Sequence, residues 1–124
     1  MAGHVLVCVT GQKTCEALIV EGARIAKENG SELSVLHVVK PGASLLGNAK
    51  EGEALEYLYK IATEHDADMA MIRSDNVEET IARQAEKLDA QTLVIGKSNG
   101  SKEKSFQMKI ETLLPDIEIK MVYP

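Results

Sequence analysis

The sequence is poor in aromatic residues, with one Phe, three Tyr and no Trp among 124 residues. Modules that bind single-stranded nucleic acid stack bases on aromatic side chains, so this scarcity argues against them. The net charge is −5, from fourteen basic and nineteen acidic residues, so no overall basic field attracts DNA or an anionic membrane. We therefore expect partners other than nucleic acids and membranes.

Long apolar runs and paired cysteines are also missing. No segment approaches the roughly 20 apolar residues that cross a bilayer, and the first nine residues contain no basic leader. The two cysteines, Cys8 and Cys15, are seven residues apart, which matches neither a CxxC motif nor a metal-binding spacing. These absences predict a cytoplasmic protein with reduced thiols.

What the chain does contain is a regular alternation of two hydrophobic periods. Short β-branched runs, typical of strands buried on both faces, occupy 4–10, 33–39, 69–72 and 92–95, and an alternating run follows at 117–122. Apolar stripes with steps of three and four residues, typical of amphipathic helices, lie between them. The pattern predicts one α/β domain over residues 1–124: a doubly wound, five-stranded parallel sheet with helices on both faces.

Turn-forming residues mark the helix boundaries. The first helix ends at Asn29-Gly30, where glycine is the usual C-terminal residue. Asp75 and Asn76 each precede a Glu by three residues, a capping-box pattern that predicts the start of the third helix. The fourth helix is expected after a polar loop from Lys97 to Lys104, and Pro115 ends it.

Charge is distributed unevenly along the chain. Residues 51–89 carry eleven acidic and four basic side chains, a net −7, whereas residues 97–109 carry four Lys and one Glu, a net +3. Ligands of doubly wound sheets bind at the carboxyl ends of strands where the winding direction reverses, and the basic loop follows such an end at Gly96. With the fourth helix starting nearby, this predicts an anion site. The alternative is a solvated loop whose lysines only keep it soluble.

The other chemically active side chains form no recognisable catalytic or metal-binding set. His4, His37 and His65 are scattered, without acids at metal spacing; His37, near the end of the second strand, is the one that we expect near a ligand. Cys15 lies in the first turn of a helix, where a lowered pKa is favoured, but it has no base partner. We therefore predict a binding module without catalytic residues or metal.

Three stretches resemble the universal stress protein domain: residues 4–39, residues 77–96 with their Asp89-x-x-x-Leu-Val-Ile-Gly96 ending, and residues 114–122. The last stretch, and Leu93-Val-Ile-Gly-Lys-Ser-Asn99, are similar to the version inside potassium-sensing histidine kinases of the Kdp type. The resemblance implies an adenine nucleotide alpha hydrolase-like fold with strand order 3-2-1-4-5. It also implies ATP, AMP or another adenine nucleotide as ligand, and a homodimer formed through the last strand (117–122).

The sequence departs from the family's nucleotide motifs at several positions. ATP-binding members have Gly, two residues, Gly, nine residues and Gly-Ser/Thr after the fourth strand. Here Gly96 matches, Asn99 stands at the second position with Gly100 one place later, and Lys109-Ile110 stand at the third. The first loop, residues 10–14, lacks the family's Asp. Some Kdp-type kinases resemble one another in aromatic residues that form a cyclic di-AMP site, and this chain lacks aromatic residues at the corresponding positions.

The favoured hypothesis is a small, non-enzymatic stress-response module that binds a nucleotide or phosphate in the crevice beside the first and fourth strands. Its predicted ligand contacts are Thr10, Gly11, Thr14, Val38, Gly96, Lys97, Ser98, Gly100 and Ser105. The alternative is a protein-interaction domain without a nucleotide, which uses its dimer surface or acidic middle to meet a signalling kinase or a transporter. A slow phosphatase or ATPase is least favoured, because no nucleophile or base is evident.

Overall fold

The computed structural model of the chain describes residues 3–9, 12–43, 50–96 and 101–122, except for the side chains of 12–14 and 101–104. Strands and helices alternate through these residues. They are β1 (His4–Cys8), α1 (Gln12–Asn29), β2 (Glu32–Val39), α2 (Glu51–Glu64), β3 (Asp68–Arg73), α3 (Val77–Lys87), β4 (Thr92–Gly96), α4 (Ser101–Leu113) and β5 (Glu118–Val122).

The five strands form one parallel sheet in the order β3-β2-β1-β4-β5, which confirms the predicted topology. β1 is central, and its Val7 lies in register with Val35 of β2 and Val94 of β4. The chain winds from β1 outward to β3 and then returns to build β4 and β5 on the other side. The winding direction therefore reverses between β1 and β4, where their carboxyl ends form a crevice.

Two helical layers bury the two faces of the sheet. Alternate residues of β1 point to opposite faces, so Val5, Val7 and Val9 pack in the core under α1 and α2, and Leu6 and Cys8 pack in the core under α3 and α4. The central strands are buried on both sides, as their unbroken β-branched runs predict.

Helix α1 lies unusually close to the sheet at Gly22. A Cβ atom built on this residue would lie 2.3 Å from Val7 Cγ2 and 3.3 Å from Leu33 Cδ1. Only glycine allows this approach, because Val7 is itself fully buried on the central strand.

Three local features differ from the sequence-based expectations. β1 ends at Cys8 rather than Thr10, although Val9 N–H still donates to Leu36 O at 2.9 Å. Helix α4 already begins at Ser101, so residues 101–104 are helical rather than part of a loop. Helix α3 starts where the capping-box pattern places it, but the Asn76 side chain makes no capping hydrogen bond; instead Ser74 Oγ accepts from Asn76 N–H at 3.1 Å.

The end of α1 is as the sequence predicts. Gly30 adopts a positive φ of 64° directly after α1, the backbone conformation that ends a helix and favours glycine. In the ranges that the structure describes, no helix is both long enough and apolar enough to cross a membrane.

Candidate functional site

The carboxyl ends of β1, β2 and β4 lie together at one end of the sheet. A buried histidine joins the ends of β1 and β2. His37 is 3% exposed, and its Nδ1 donates to Val9 O at 2.8 Å. Because a carbonyl only accepts, this bond places a proton on Nδ1. Burial, with a smaller effect from Arg73, lowers the pKa of His37, so the ring is neutral near pH 7 and ties the end of β1 to β2.

An apolar cavity of about 280 Å³ opens at this end of the sheet, on the face that α3 and α4 cover. The sheet supplies its floor and the two helices supply its walls. Its lining consists of Cys8, Val9, Val38, Val77, Ile81, Ile95, Gly96, Phe106, Gln107 and Met121. Gln107 is the one polar side chain in this lining. Its amide already donates to Glu111 Oε1 at 2.8 Å, which leaves one N–H donor and the carbonyl acceptor for a ligand. A largely apolar cavity with one hydrogen-bonding group, at the reversal of winding, is typical of a small-molecule site.

Of the predicted ligand contacts, Val38 and Gly96 line this cavity. Ser105 is exposed in the first part of α4 and is not among the lining residues, and Thr14 lies in α1 with its side chain outside the description. The remaining predicted contacts lie outside the described residues; they are Thr10, Gly11, Lys97, Ser98 and Gly100. His37 belongs to the α1 side of the sheet and does not line the cavity.

Gly96 leaves its backbone accessible without being required for packing. A Cβ atom at this position would lie 3.4 Å from Leu18 Cδ1, which is ordinary van der Waals contact. An alanine would therefore fit the fold, with its methyl group against Leu18 of α1 on the face of the sheet opposite the cavity, so that Gly96 lines the cavity with its backbone.

Lys109, counted with the basic segment from the sequence, takes part in a different interaction. Its Nζ lies 2.7 Å from Glu79 Oε1 and 3.7 Å from Glu78 Oε2, so it joins α4 to the start of α3. The contact lowers the pKa of Glu79 and raises that of Lys109. These two helices form the cavity walls, whereas the sequence pattern gives the two glutamates only a place in the capping box of α3.

Cys8 and Cys15 are both buried, and neither forms a disulfide. Burial raises the pKa of the Cys8 thiol to about 12. Burial also raises the pKa of Cys15, although its position in the first turns of α1 suggested a lowered value. A thiol in this state is a poor nucleophile, so neither cysteine has the character of a catalytic residue.

The sheet register brings together one polar trio that sequence reasoning missed. His4 Nε2 lies 2.6 Å from Ser34 Oγ, and His4 Nδ1 lies 3.6 Å from Glu32 Oε2. Its composition is that of a hydrolase triad, but Ser34 is 6% exposed and lies at the amino ends of the strands, away from the cavity. We assign it a structural role in satisfying buried polar groups. Within the described ranges, no three His, Cys, Asp or Glu side chains group as metal ligands.

A parallel sheet of this order, with a cavity at the reversal of winding, defines the class of doubly wound α/β domains, whose ligands bind at that point. The model of the universal stress protein family matches residues 1–107, and the chain belongs to this family. The resemblance drawn from the sequence is thereby confirmed.

Similar proteins place the chain more closely within the family. It is 33% identical over 99 residues to the sensor protein KdpD of Mycobacterium tuberculosis (strain CDC 1551 / Oshkosh), which covers 80% of this chain and 11% of KdpD. The chain thus spans about a tenth of that relative. A universal stress protein in complex with cAMP superimposes with a TM-score of 0.74 at 13% identity, covering 98% of this chain and 97% of that one. The Archaeoglobus fulgidus protein in complex with dAMP gives 0.61 at 16% identity, covering 98% and 97%.

Proposed function

We propose that the protein is a non-enzymatic regulatory module that binds an adenine nucleotide in the crevice between β1 and β4. The main observation behind this proposal is the apolar cavity at the reversal of winding, which Val38 and Gly96 help to line. The cAMP and dAMP complexes of proteins with the same fold support adenine as the base.

The cavity volume suggests how a nucleotide would be divided between two environments. About 280 Å³ lies just below the range of about 300–1,000 Å³ that holds a whole drug-sized ligand. It therefore suits the base alone, which would lie against Val38 and Ile81 with its polar edge near Gln107. The sugar and phosphate would lie towards Gly96 and the start of α4, where the helix dipole favours negative charge.

Calorimetric titration with ATP, AMP and cAMP tests the proposal, with Gln107→Ala as the variant and Met108→Ala as its matched control on α4. Gln107 is the one polar side chain of the cavity lining, so we expect at least about tenfold weaker binding in Gln107→Ala. Met108 is 66% exposed and outside the lining, so Met108→Ala should bind as the wild type does. The wild type showing no heat with any of the three, and carrying no nucleotide through purification, would refute the proposal. Equal affinity in Gln107→Ala would refute this placement of the ligand.

We also propose a homodimer in which two β5 strands lie side by side. Within the described chain β5 pairs with β4 alone. Glu118 N–H donates to Gln91 O, and since N–H groups alternate along a strand, those of Ile119 and Met121 point outward. Ile119→Pro or Met121→Pro removes an outward N–H and spares the ladder to β4. We expect either variant to halve the mass measured by sedimentation; an unchanged mass would contradict this interface.

The absence of a catalytic assignment supports the regulatory part of the proposal. Cys8 and Cys15 are buried with raised pKa values, and Ser34 is inaccessible. Two cysteines that form no disulfide also support a cytosolic location. The similarity to one segment of a sensor kinase, KdpD, favours a second role as a protein-interaction domain, with a signalling kinase as partner.

A further inference from the structure

The sheet has a second edge, at β3, that is available for pairing. Within the described residues β3 hydrogen-bonds to β2 alone. Ser74 N–H donates to Val39 O at 3.0 Å, and because N–H directions alternate along a strand, the even-numbered residues of β3 face β2. The N–H and C=O groups of Met69 and Met71 therefore point outward, as a template for another strand.

Apolar side chains surround this edge. Met69 and Met71 are half-buried beneath α2, and Ala70 is exposed on the opposite face. Leu55 and Tyr59, one turn apart on α2, are 40% and 62% exposed. Both lie on the side of α2 opposite to Tyr57, whose hydroxyl contacts Cys15 of α1. They consequently face away from α1, towards the outer edge of the sheet, where they would cover a strand added beside β3.

The charge around this edge is acidic. Segment 51–73, which contains α2 and β3, carries six acidic and two basic residues. Asp66 and Asp68 are exposed at the start of β3, and Glu56 is exposed on α2. Arg73, at the other end of β3, is already engaged, with Nη2 2.6 Å from Glu51 Oε1 and Nη1 3.0 Å from Ala43 O.

We propose that the outer edge of β3, with Leu55 and Tyr59 beside it, binds an extended peptide of alternating basic and apolar residues as a sixth strand. The strand edge supplies backbone hydrogen bonds, the exposed α2 side chains take up the apolar residues, and the acidic surroundings select the basic ones. A second copy of the chain fits less well, because two surfaces of net negative charge would repel. This site shares no residue with the nucleotide crevice and does not depend on it.

Nuclear magnetic resonance with a synthetic probe peptide, acetyl-(Lys-Val)4-amide, tests this site. We expect the amide signals of Met69 and Met71 to shift and their hydrogen exchange to slow at least about tenfold. The amides of Ala70 and Ile72, already bonded to β2, should change little. A peptide N-methylated at every residue, which has no backbone N–H to pair with a strand, should not bind. The Glu-Val counterpart should bind at least about tenfold more weakly, since like charges cost at least about 1.4 kcal/mol.

Surface variants distinguish binding at the β3 edge from nonspecific hydrophobic binding of the peptide elsewhere on the protein. Leu55→Ala and Tyr59→Ala remove exposed side chains, so we expect folding to be unchanged and peptide affinity to fall by about tenfold in the double variant. Met108→Ala is the control, because Met108 is 66% exposed on α4 and should leave the affinity unchanged.

Several outcomes would overturn the proposal. They are no shift at Met69 and Met71 at millimolar peptide, equal binding of the Glu-Val peptide, or equal loss of affinity in Met108→Ala. Protection of the Met69 amide that grows with protein concentration in the absence of peptide would instead assign this edge to a second copy of the chain.

Discussion

Gly22→Ala gives the sharpest test of how α1 is seated on the sheet. Two effects of known sign oppose each other at this position. In a helix interior alanine is more favourable than glycine by about 1 kcal/mol. Against this, the added Cβ would lie 2.3 Å from Val7 Cγ2, far inside the contact distance.

The steric effect is expected to win. Val7 is fully buried in the central strand, and a β-branched side chain has few alternative rotamers, so α1 must shift outward and loosen its packing. Overpacking of a core costs about 1–3 kcal/mol. The 2.3 Å approach puts this change in the upper part of that range, at about 2–3 kcal/mol. After subtracting about 1 kcal/mol for the gain in helix propensity, we expect a net loss of about 1–2 kcal/mol, or roughly 4–8 °C in Tm at about 4 °C per kcal/mol.

Gly52→Ala is the matched control, because a Cβ at Gly52 in α2 meets no atom within 4 Å. The same chemical change should there leave Tm unchanged or raise it. Thermal and urea unfolding of both variants measure the difference. A Gly22→Ala protein at least as stable as the wild type would refute the close seating of α1 on Val7.

Three further predictions concern titratable groups. Burial raises the pKa of Cys8 to about 12 and raises that of Cys15, so a colorimetric thiol reagent at pH 8 should react with neither in the native protein and with both after unfolding; prompt native reaction would contradict this burial. Burial lowers the pKa of His37 from its ordinary value of 6.5, so the unfolded chain binds the proton more readily and wild-type stability should fall as pH drops below 6.5. His37→Gln should show a shallower decline in urea unfolding between pH 7 and pH 5, and an identical slope would count against the assignment. Lys109 lowers the pKa of Glu79, so Lys109→Met should raise the titration midpoint of the Glu79 carboxyl in nuclear magnetic resonance; an unmoved midpoint would show that the ion pair is absent in solution.

Much of the fold could be predicted from the sequence because local pattern and global topology agree. The runs of β1, β2 and β4 are mostly apolar and show no alternation of apolar and polar residues that would put one face in solvent, which predicts central strands with helices on both sides. The start of α4 was not predicted because its local pattern carries no helical signal. Ser101-Lys-Glu-Lys104 has no apolar stripe, so its helical state depends on the chain that follows.

The site was less accessible to sequence reasoning because it depends on packing between distant elements. Val77, Ile81 and Phe106 have the sequence spacing of ordinary core residues. The cavity between α3 and α4 results from how the two helices pack, which the sequence spacing does not show. The pairing of Lys109 with Glu79 likewise requires α3 and α4 to be neighbours. The adjacency of His4 and Glu32 follows from the register of β1 and β2, which no local pattern specifies.

The central claim is that an adenine nucleotide binds at the reversal of winding, and the most direct measurement is a map of amide chemical shifts during titration with AMP. We expect the largest shifts at Val9, Val38, Gly96 and Gln107, which line the cavity. Ser34, near the amino ends of the strands, should change little. Shifts confined to other surfaces, or none at millimolar AMP, would contradict the account.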